Sequence, residues 1–326
     1  MAFTTSGIHH VTAIAVKPQA TIEFHARVLG LRLVKRTVNF DDPQTYHLYF
    51  GDAEGAPGTI LSLFPWPGAG RGERGDGEAR RIGLRVPEGS LDFWRERLTH
   101  AGIVHSAVAS FGEESLRFED PDGIPLDLTA VGAPGAGSWG GSGVGAEVAI
   151  SGIHSVTLSA PRLEDTVDLL TSALGMIVTD DEDTTRLASV SGPAGGHIDL
   201  VPVPEKTRGR WGAGSIHHVA LRAADEATQD EARAALQAHG LETRDYKDRH
   251  YFRSLYFNEP SGSILEIATD GPGFTVDEPL DELGLAFRLP QWLESDRAFL
   301  RQRLAVTASP EYADRFGPVN TGAGRA

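Results

Sequence analysis

Apolar and β-branched residues alternate with polar ones over four short stretches spread along the chain: Ile8 to Val16, Ile82 to Val86, Ile153 to Ser159 and Ile216 to Leu221. A period of two predicts strands with one face buried. Helical spacing follows, as in Leu91 to Ala101 and Ala227 to Ala238, and runs into a glycine (Gly102, Gly240) suited to a left-handed C-cap. Shorter strand patterns come next: Tyr46 to Phe50, Ile60 to Phe64, Leu116 to Phe118, Ile124 to Thr129, His197 to Val201, Ser254 to Asn258 and Ile264 to Ala268. The predicted unit is therefore strand, helix, then two or three strands. Leu293 to Leu304 reads as a final short helix packed outside the repeats, and the chain after Thr307 as disordered.

The stretches are copies of one another. Gly7-Ile8-His9-His10-Val11-Thr12 recurs as Gly152-Ile153-His154-Ser155-Val156-Thr157, and at the same spacing Leu29-Gly30 recurs as Leu174-Gly175. Pro121-Asp122-Gly123 recurs as Pro260-Ser261-Gly262, which sets Asp127 opposite Glu266. First and third quarters match, as do second and fourth, so the chain is two halves of two units each. Gly132 to Ser151, rich in Gly, Ala and Ser, reads as the linker between them. Gly68 to Gly77 lacks the strand and helix flanks of a nucleotide loop and reads as a flexible surface excursion.

Composition narrows the chemistry. With no cysteine, thiolate metal sites, disulfides and cysteine nucleophiles are excluded, so any metal must sit on nitrogen and oxygen. A formal net charge of −15 repels phosphate backbones and anionic lipids, which argues against nucleic acid and membrane partners. No apolar run approaches the roughly 20 residues of a membrane span. The opening residues lack the pattern of a signal peptide, so a cytoplasmic protein is expected.

Two His-His pairs, His9-His10 and His217-His218, fall at the same position of the repeat in the first and fourth units. Neighbours on a strand point to opposite faces, so one imidazole of each pair is expected inside and the other elsewhere. The third unit has Ser155 in place of the second histidine, and Arg81 falls nearby in the second unit. Glu266 sits among apolar neighbours in Ile264-Leu265-Glu266-Ile267-Ala268, where a carboxylate persists only if a cation or hydrogen bonds compensate it. Two imidazoles and one carboxylate on strands make the facial triad of non-haem iron, with positions left for substrate and dioxygen. The plain alternatives are hydrogen-bonded core histidines and a Glu paired with Arg. His25, His47, His100, His105, His197 and His239 show no partner pattern and receive no role.

These residues resemble the vicinal oxygen chelate superfamily, which includes glyoxalase I, bleomycin- and fosfomycin-resistance proteins and type I extradiol dioxygenases. Within it they are similar to the hydroquinone ring-cleaving dioxygenases. The matching stretches are Gly7 to Thr12, Val38-Asn39-Phe40-Asp41-Asp42-Pro43, Ile216 to Ala220 and Asp248 to Asp270, covering nearly the whole chain. The resemblance implies an α+β fold of four βαβββ modules in two tandem domains with curved mixed sheets, plus a short C-terminal helix. The expected divisions are residues 1–131, a linker at 132–151, residues 152–270 and an extension at 271–326. It implies that His10, His218 and Glu266 hold Fe(II), with Mn(II) as the other candidate metal, and that His9, Thr12, His217, Arg249 and Tyr256 surround the substrate. Of these, His217, Arg249 and Tyr256 would act in catalysis, supplying a proton site, charge stabilisation and a hydrogen bond. The expected activity is extradiol-type cleavage of a small aromatic diol by O2, in a chain that could form a homo-oligomer. Two other readings stay open. One is a glyoxalase-like isomerase on zinc or nickel, which would want a second carboxylate ligand where Leu61-Ser62-Leu63 offers none. The other is a non-catalytic module that sequesters a planar toxic compound.

Overall fold

The alternation of small, branched and aromatic residues resolves into strands whose inner faces supply the core. The structure, a computed structural model, describes residues 3–135, 137–181, 183–190, 196–204 and 209–311. The first unit holds β1 (Ile8–Ala15), α1 (Pro18–Ile22), β2 (Arg32–Asn39), β3 (Asp42–Gly51) and β4 (Ile60–Pro65). The second holds β5 (Ala79–Val86), α2 (Leu91–His100), β6 (His105–Ser110), β7 (Glu113–Glu119) and β8 (Pro125–Ala130). The third holds β9 (Gly152–Ala160), α3 (Leu163–Asp168), β10 (Met176–Asp181), β11 (Thr185–Ser189) and β12 (His197–Pro202). The fourth holds β13 (Ile216–Ala223), α4 (Glu226–Ala238), β14 (Lys247–Asp248), β15 (Phe252–Asn258) and β16 (Ile264–Pro272). α4 starts where the Asp225 carboxylate accepts from the Thr228 N–H at 2.8 Å, and its buried face carries Ala232 and Leu236. Among the described residues no helix is long and apolar enough to cross a membrane.

Strand pairing sets the architecture. In each unit the first and last strands run parallel, as in β1 with β4 and β13 with β16, which a helical crossover between them permits. The units then join in antiparallel pairs, β1 with β13 and β5 with β9. The first unit therefore shares a half-sheet with the fourth, and the second with the third. The two half-sheets meet edge to edge at one pair, Ile216 with Ala79. A residue of the first unit can thus lie beside one of the fourth, across nearly the whole length of the chain.

Two expectations need correction. Gly68 to Gly77 is not a loose excursion: backbone bonds from Gly72 N to Ala213 O and from Glu73 N to Arg210 O, returned by Arg210 N to Glu73 O, bind it into a ribbon with the approach to β13. Gly77 has φ +58°, and a Cβ there would stand 1.7 Å from the Ser261 carbonyl, so glycine is what lets the ribbon lie against the fourth unit. The chain just beyond Thr307 is not disordered either. Ala308 and Ser309 are buried, and the Gln19 side chain bonds both N–H and C=O of Ala308. The remainder of that stretch, 312–326, lies outside the described residues. The final helix, α5 (Arg297–Arg303), follows a 3-10 turn at Gln291–Asp296. The described residues of 132–151 also pack, with Val144 and Ile150 buried and the Val148 carbonyl accepting from Trp94 Nε1 at 2.9 Å.

β2 was not expected as a strand because it reads Arg-Leu-Val-Lys-Arg-Thr-Val-Asn. Its charges are covered by the C-terminal segment. Lys35 is fully buried, with Nζ against the Asp277 and Glu278 carboxylates, while Arg36 donates to the Leu285 and Thr307 carbonyls. Changing Lys35 to Met removes the buried cation between the Asp277 and Glu278 carboxylates and leaves Glu278 to the Arg288 guanidinium at 3.4 Å. Urea unfolding is expected to show a loss of about 3–5 kcal/mol, and a midpoint equal to the parent's would mean that the clamp contributes nothing.

Candidate metal centre

Two bulges build the site. On β1, Ile8 faces Leu221 and His10 faces Ala220, so His9 is the extra residue; on β13, His218 faces Thr12 and Ile216 faces Ala13, so His217 is the extra residue. A bulge breaks the strict alternation of a strand and re-aims the side chains beside it. Around these bulges run two rows of register neighbours. One row is His10, Ala220, Glu266 and Tyr256, on β1, β13, β16 and β15; the other is Tyr49, Ser62, Thr12 and His218, on β3, β4, β1 and β13. Ala220 lies between His10 and Glu266, and its single methyl group leaves the space into which His218 reaches from the next row.

The three donors converge. His10 Nε2 lies 3.2 Å from His218 Nε2, and Glu266 Oε2 lies 3.5 Å from the first and 3.1 Å from the second. Bonds of about 2.1 Å at right angles to a common ion would separate cis donors by about 3 Å. Glu266 is fully buried; Ser254 donates to its Oε1, while Oε2 has no hydrogen-bond partner. An orphaned oxygen on a buried carboxylate, aimed at two imidazole nitrogens, fits a divalent cation. Burial first, then neighbouring positive charge, takes His218 down to about 3, and burial takes His10 well below its ordinary value, so both offer lone pairs. Among the described residues this is the one group of three side chains so arranged.

Each ligand candidate is oriented by its own neighbour. His10 Nδ1 lies 2.9 Å from His9 Nδ1, and His218 Nδ1 lies 2.8 Å from His217 Nδ1. If Nε2 of His10 and His218 keeps a lone pair for a cation, their Nδ1 carries the proton and donates it to the bulged histidine, which fixes both tautomers. The two bulged residues then differ in access. His9 is buried behind His10 and does not line the cavity, whereas His217 does, together with His218. The expectation that one member of each pair turns away thus holds for His9, and the bulge overrides it for His217. Thr12 also stays out of the cavity lining, its hydroxyl 2.9 Å from His218 Nε2 and 2.7 Å from Ser62 Oγ.

The cavity in front of the triad has a volume of about 370 Å³. Phe40, Phe64, Phe252 and Tyr49 form its apolar walls, and Arg249 and Tyr256 its polar ones. Arg249 places its guanidinium 5.4 Å from the centre of the Tyr256 ring. Burial opposes its charge, but the Asp41 and Glu266 carboxylates outweigh burial and hold the guanidinium protonated. Burial and the Glu266 charge raise the Tyr256 phenol, so it remains a donor. His217, lowered to about 3 by burial and then His218, is neutral. Trp211 lies tilted against it at 4.4 Å, and both residues line a neighbouring cavity of about 340 Å³ that the Gly-rich ribbon also walls.

Sequence reasoning missed two groups here. His47, given no role, lines the cavity, its Nδ1 2.8 Å from the Tyr49 hydroxyl and its Nε2 3.0 Å from Ser62 Oγ. This continues the polar chain from Thr12. The spacing of two between His47 and Tyr49 on one strand was the signal that could have found it. Asp41, within a motif already noted, reaches from the β2–β3 turn to Arg249 at 2.8 Å and Lys247 at 3.4 Å, clasping the mouth.

Known proteins match this chain along both of its halves. Residues 7–128 and 152–267 both match the Glyoxalase/Bleomycin resistance protein/Dioxygenase superfamily, and the chain belongs to that family. The α+β fold of four repeated units in two tandem segments is that of glyoxalase-type proteins. Among its relatives is a Bacillus subtilis (strain 168) protein named "Putative ring-cleaving dioxygenase MhqE", 44% identical over 294 residues that cover 90% of this chain and 96% of that one. The chlorohydroquinone/hydroquinone 1,2-dioxygenase of Sphingobium indicum is 33% identical over 299 residues, covering 88% and 92%. A crystal structure of a Bacillus subtilis protein superposes with a TM-score of 0.90 at 41% identity, covering 94% of this chain and 98% of that one.

The donor set predicts that a divalent cation stabilises the fold. Adding iron(II) or manganese(II) to chelator-treated protein is expected to raise the melting temperature, equivalent to about 4 kcal/mol at a free ion concentration about a thousandfold above Kd. Glu266→Gln is expected to lose most of that gain in the same melting assay.

Proposed function

We propose that this chain cleaves the ring of a hydroquinone-like phenol with dioxygen, using one iron(II) held by His10, His218 and Glu266, with manganese(II) the other ion those donors accept. The observation that carries the reading is the convergence of the three donors beside an aromatic-walled cavity that also holds a guanidinium and a phenol. The names of its relatives point to the same chemistry. A bound iron(II) would supply a Lewis acid for the phenol and an electron relay to dioxygen.

The chain's own residues have separable tasks. Phe40, Phe64 and Phe252 hold a flat ring and exclude water from it. Arg249 stays charged and stabilises the anion left when a hydroxyl loses its proton. Tyr256, kept protonated by burial, donates a hydrogen bond toward developing charge on oxygen. His217, whose Nδ1 accepts from His218, presents Nε2 as a neutral proton site within the cavity wall. His9 acts from behind, orienting the His10 imidazole, while the Thr12 hydroxyl stands beside His218 Nε2 on the ligating side. The isomerase reading loses ground because Ser62, bonded to Thr12 and His47, stands where a second carboxylate would be wanted. The sequestering reading needs neither the buried triad nor Arg249.

Oxygen uptake tests the reading. Iron-loaded protein is expected to consume dioxygen with hydroquinones more readily than with catechols, and His218→Ala to lose both stoichiometric iron and uptake. A His218→Ala protein with parental uptake would sink the metal site; a preference for catechols would sink the substrate class alone. For the clasp, Asp41→Asn frees Arg249 to leave the Tyr256 ring. The expected result is a fall in kcat/KM of about tenfold, from a charged hydrogen bond worth about 1.4 kcal/mol. Iron content should be unchanged and Asp41→Glu should recover part of the loss.

A further inference from the structure

The half-sheet of the second and third units repeats the metal-bearing half position for position. Gly83 pairs with Asp127 as Ala220 pairs with Glu266, so Arg81, two residues before Gly83, stands where His218 stands. Ser155, opposite Gly83, stands for His10, and Arg117, opposite Asp127, for Tyr256. The bulges recur as well. Arg80 is the extra residue between Ala79 and Arg81, matching His217, and His154 is the extra residue between Ile153 and Ser155, matching His9.

The exchange has one chemical sense: where the first half offers lone pairs to a cation, the second supplies the cation itself. Arg117 grips Asp127 with two bonds of 2.9 Å, and Arg81 Nε lies 3.7 Å from the same carboxylate. Guanidinium groups thus occupy the carboxylate that corresponds to Glu266. A cleft of about 650 Å³ opens over them, with Arg74 and Arg80 completing its set of four arginines. Its carboxylates do not balance that set. Asp127 serves two of the four, Glu78 is 3.9 Å from Arg74, and Glu119 is engaged by Arg71 at 3.2 Å. Among the described residues no carboxylate lies within 4 Å of the Arg80 guanidinium. The Nε atoms of Arg80 and Arg81 are both buried without a hydrogen-bond partner. Both guanidinium groups line the cleft, so an acceptor entering it meets donors that form no hydrogen bond to the described residues.

We propose that this second cleft is a binding site for a small organic carboxylate, with the carboxylate on Arg80 and Arg81 and the apolar body on Ile103, Val104 and Phe118. Guanidinium forks match a planar carboxylate. The apolar wall offers no donors for the further oxygens of a phosphate or sulfate. The chain's formal charge of −15 repels anions at long range, so binding depends on these local contacts and weakens as salt rises. The assignment does not rest on the reaction at the metal centre.

Calorimetric titration of the full-length, metal-loaded protein with benzoate tests it. The expected result is one benzoate per chain at this cleft, retained in the His218→Ala protein and weakened about tenfold by Arg80→Ala. Val104, 90% exposed at the rim, tolerates a charge without harm to folding, so Val104→Glu is expected to weaken benzoate several-fold even if Arg80→Ala does not fold. Circular dichroism checks the fold of each variant. Unchanged affinity in folded Arg80→Ala or in Val104→Glu, or loss of binding in His218→Ala, would overturn the site. Inorganic phosphate binding as tightly as benzoate would overturn the ligand class.

Discussion

The antiparallel seam between β1 and β13 is the constraint on which the arrangement turns. It joins the first unit to the fourth, so His10 comes to lie across Ala220 from Glu266, with His218 one row away. Pairing of the first unit with the second instead would leave His10 in one half of the molecule and His218 and Glu266 in the other. The seam is not an ideal ladder. Its two bulges give up regular hydrogen bonding at His9 and His217, and in return two imidazoles sit next to two others, each fixing its neighbour's tautomer.

That geometry has to be held against a large desolvation cost. Glu266 is fully buried, and the idealised penalty for an isolated ion in such a place is of order 20 kcal/mol, several kcal/mol after relaxation. Ser254 satisfies one oxygen, and a cation would satisfy the other. Elsewhere ion pairs meet part of the buried charge, as where Lys35 faces Asp277 and Glu278 and Arg186 faces Asp199. Glu266 differs from all of these carboxylates in having no Lys or Arg partner among the described residues. This contrast, more than the presence of histidines, distinguishes a metal position from the structural charge pairs around it.

Much of this was legible in the sequence, because repeats and alternation are local properties. The four leading strands, α2, α4 and most of the closing strands follow their predicted ranges; repeat position pointed to the two His-His pairs and strand pattern to Glu266, and the family resemblance supplied the choice of His10 and His218 within those pairs. What escaped has a physical reason in each case. β2 hides behind Lys35 and Arg36, whose charges are neutralised by a segment about 240 residues further along the chain. The Gly-rich ribbon is held by backbone atoms, which leave no trace in side-chain pattern. A bulge adds one residue to a strand without any change of composition, so the inward turn of His217 could not be read from a period of two. Partner choice between units depends on register across the whole molecule, and short-range pattern is silent on it.

The duplicated half gives the most direct view of why the metal-bearing half is as it is. Backbone register, bulges and the acidic position are the same in both, so the scaffold alone does not select a metal. Side chains at a handful of equivalent places do: Arg81 for His218, Arg117 for Tyr256, Ser155 for His10. A guanidinium brings its own permanent charge and settles on Asp127, which removes the demand for an external cation. An imidazole kept neutral by burial brings a lone pair and leaves Glu266 unpaired, which creates that demand. Two half-sheets of one register thus present opposite needs, the first for a positive ion and the second for a negative one.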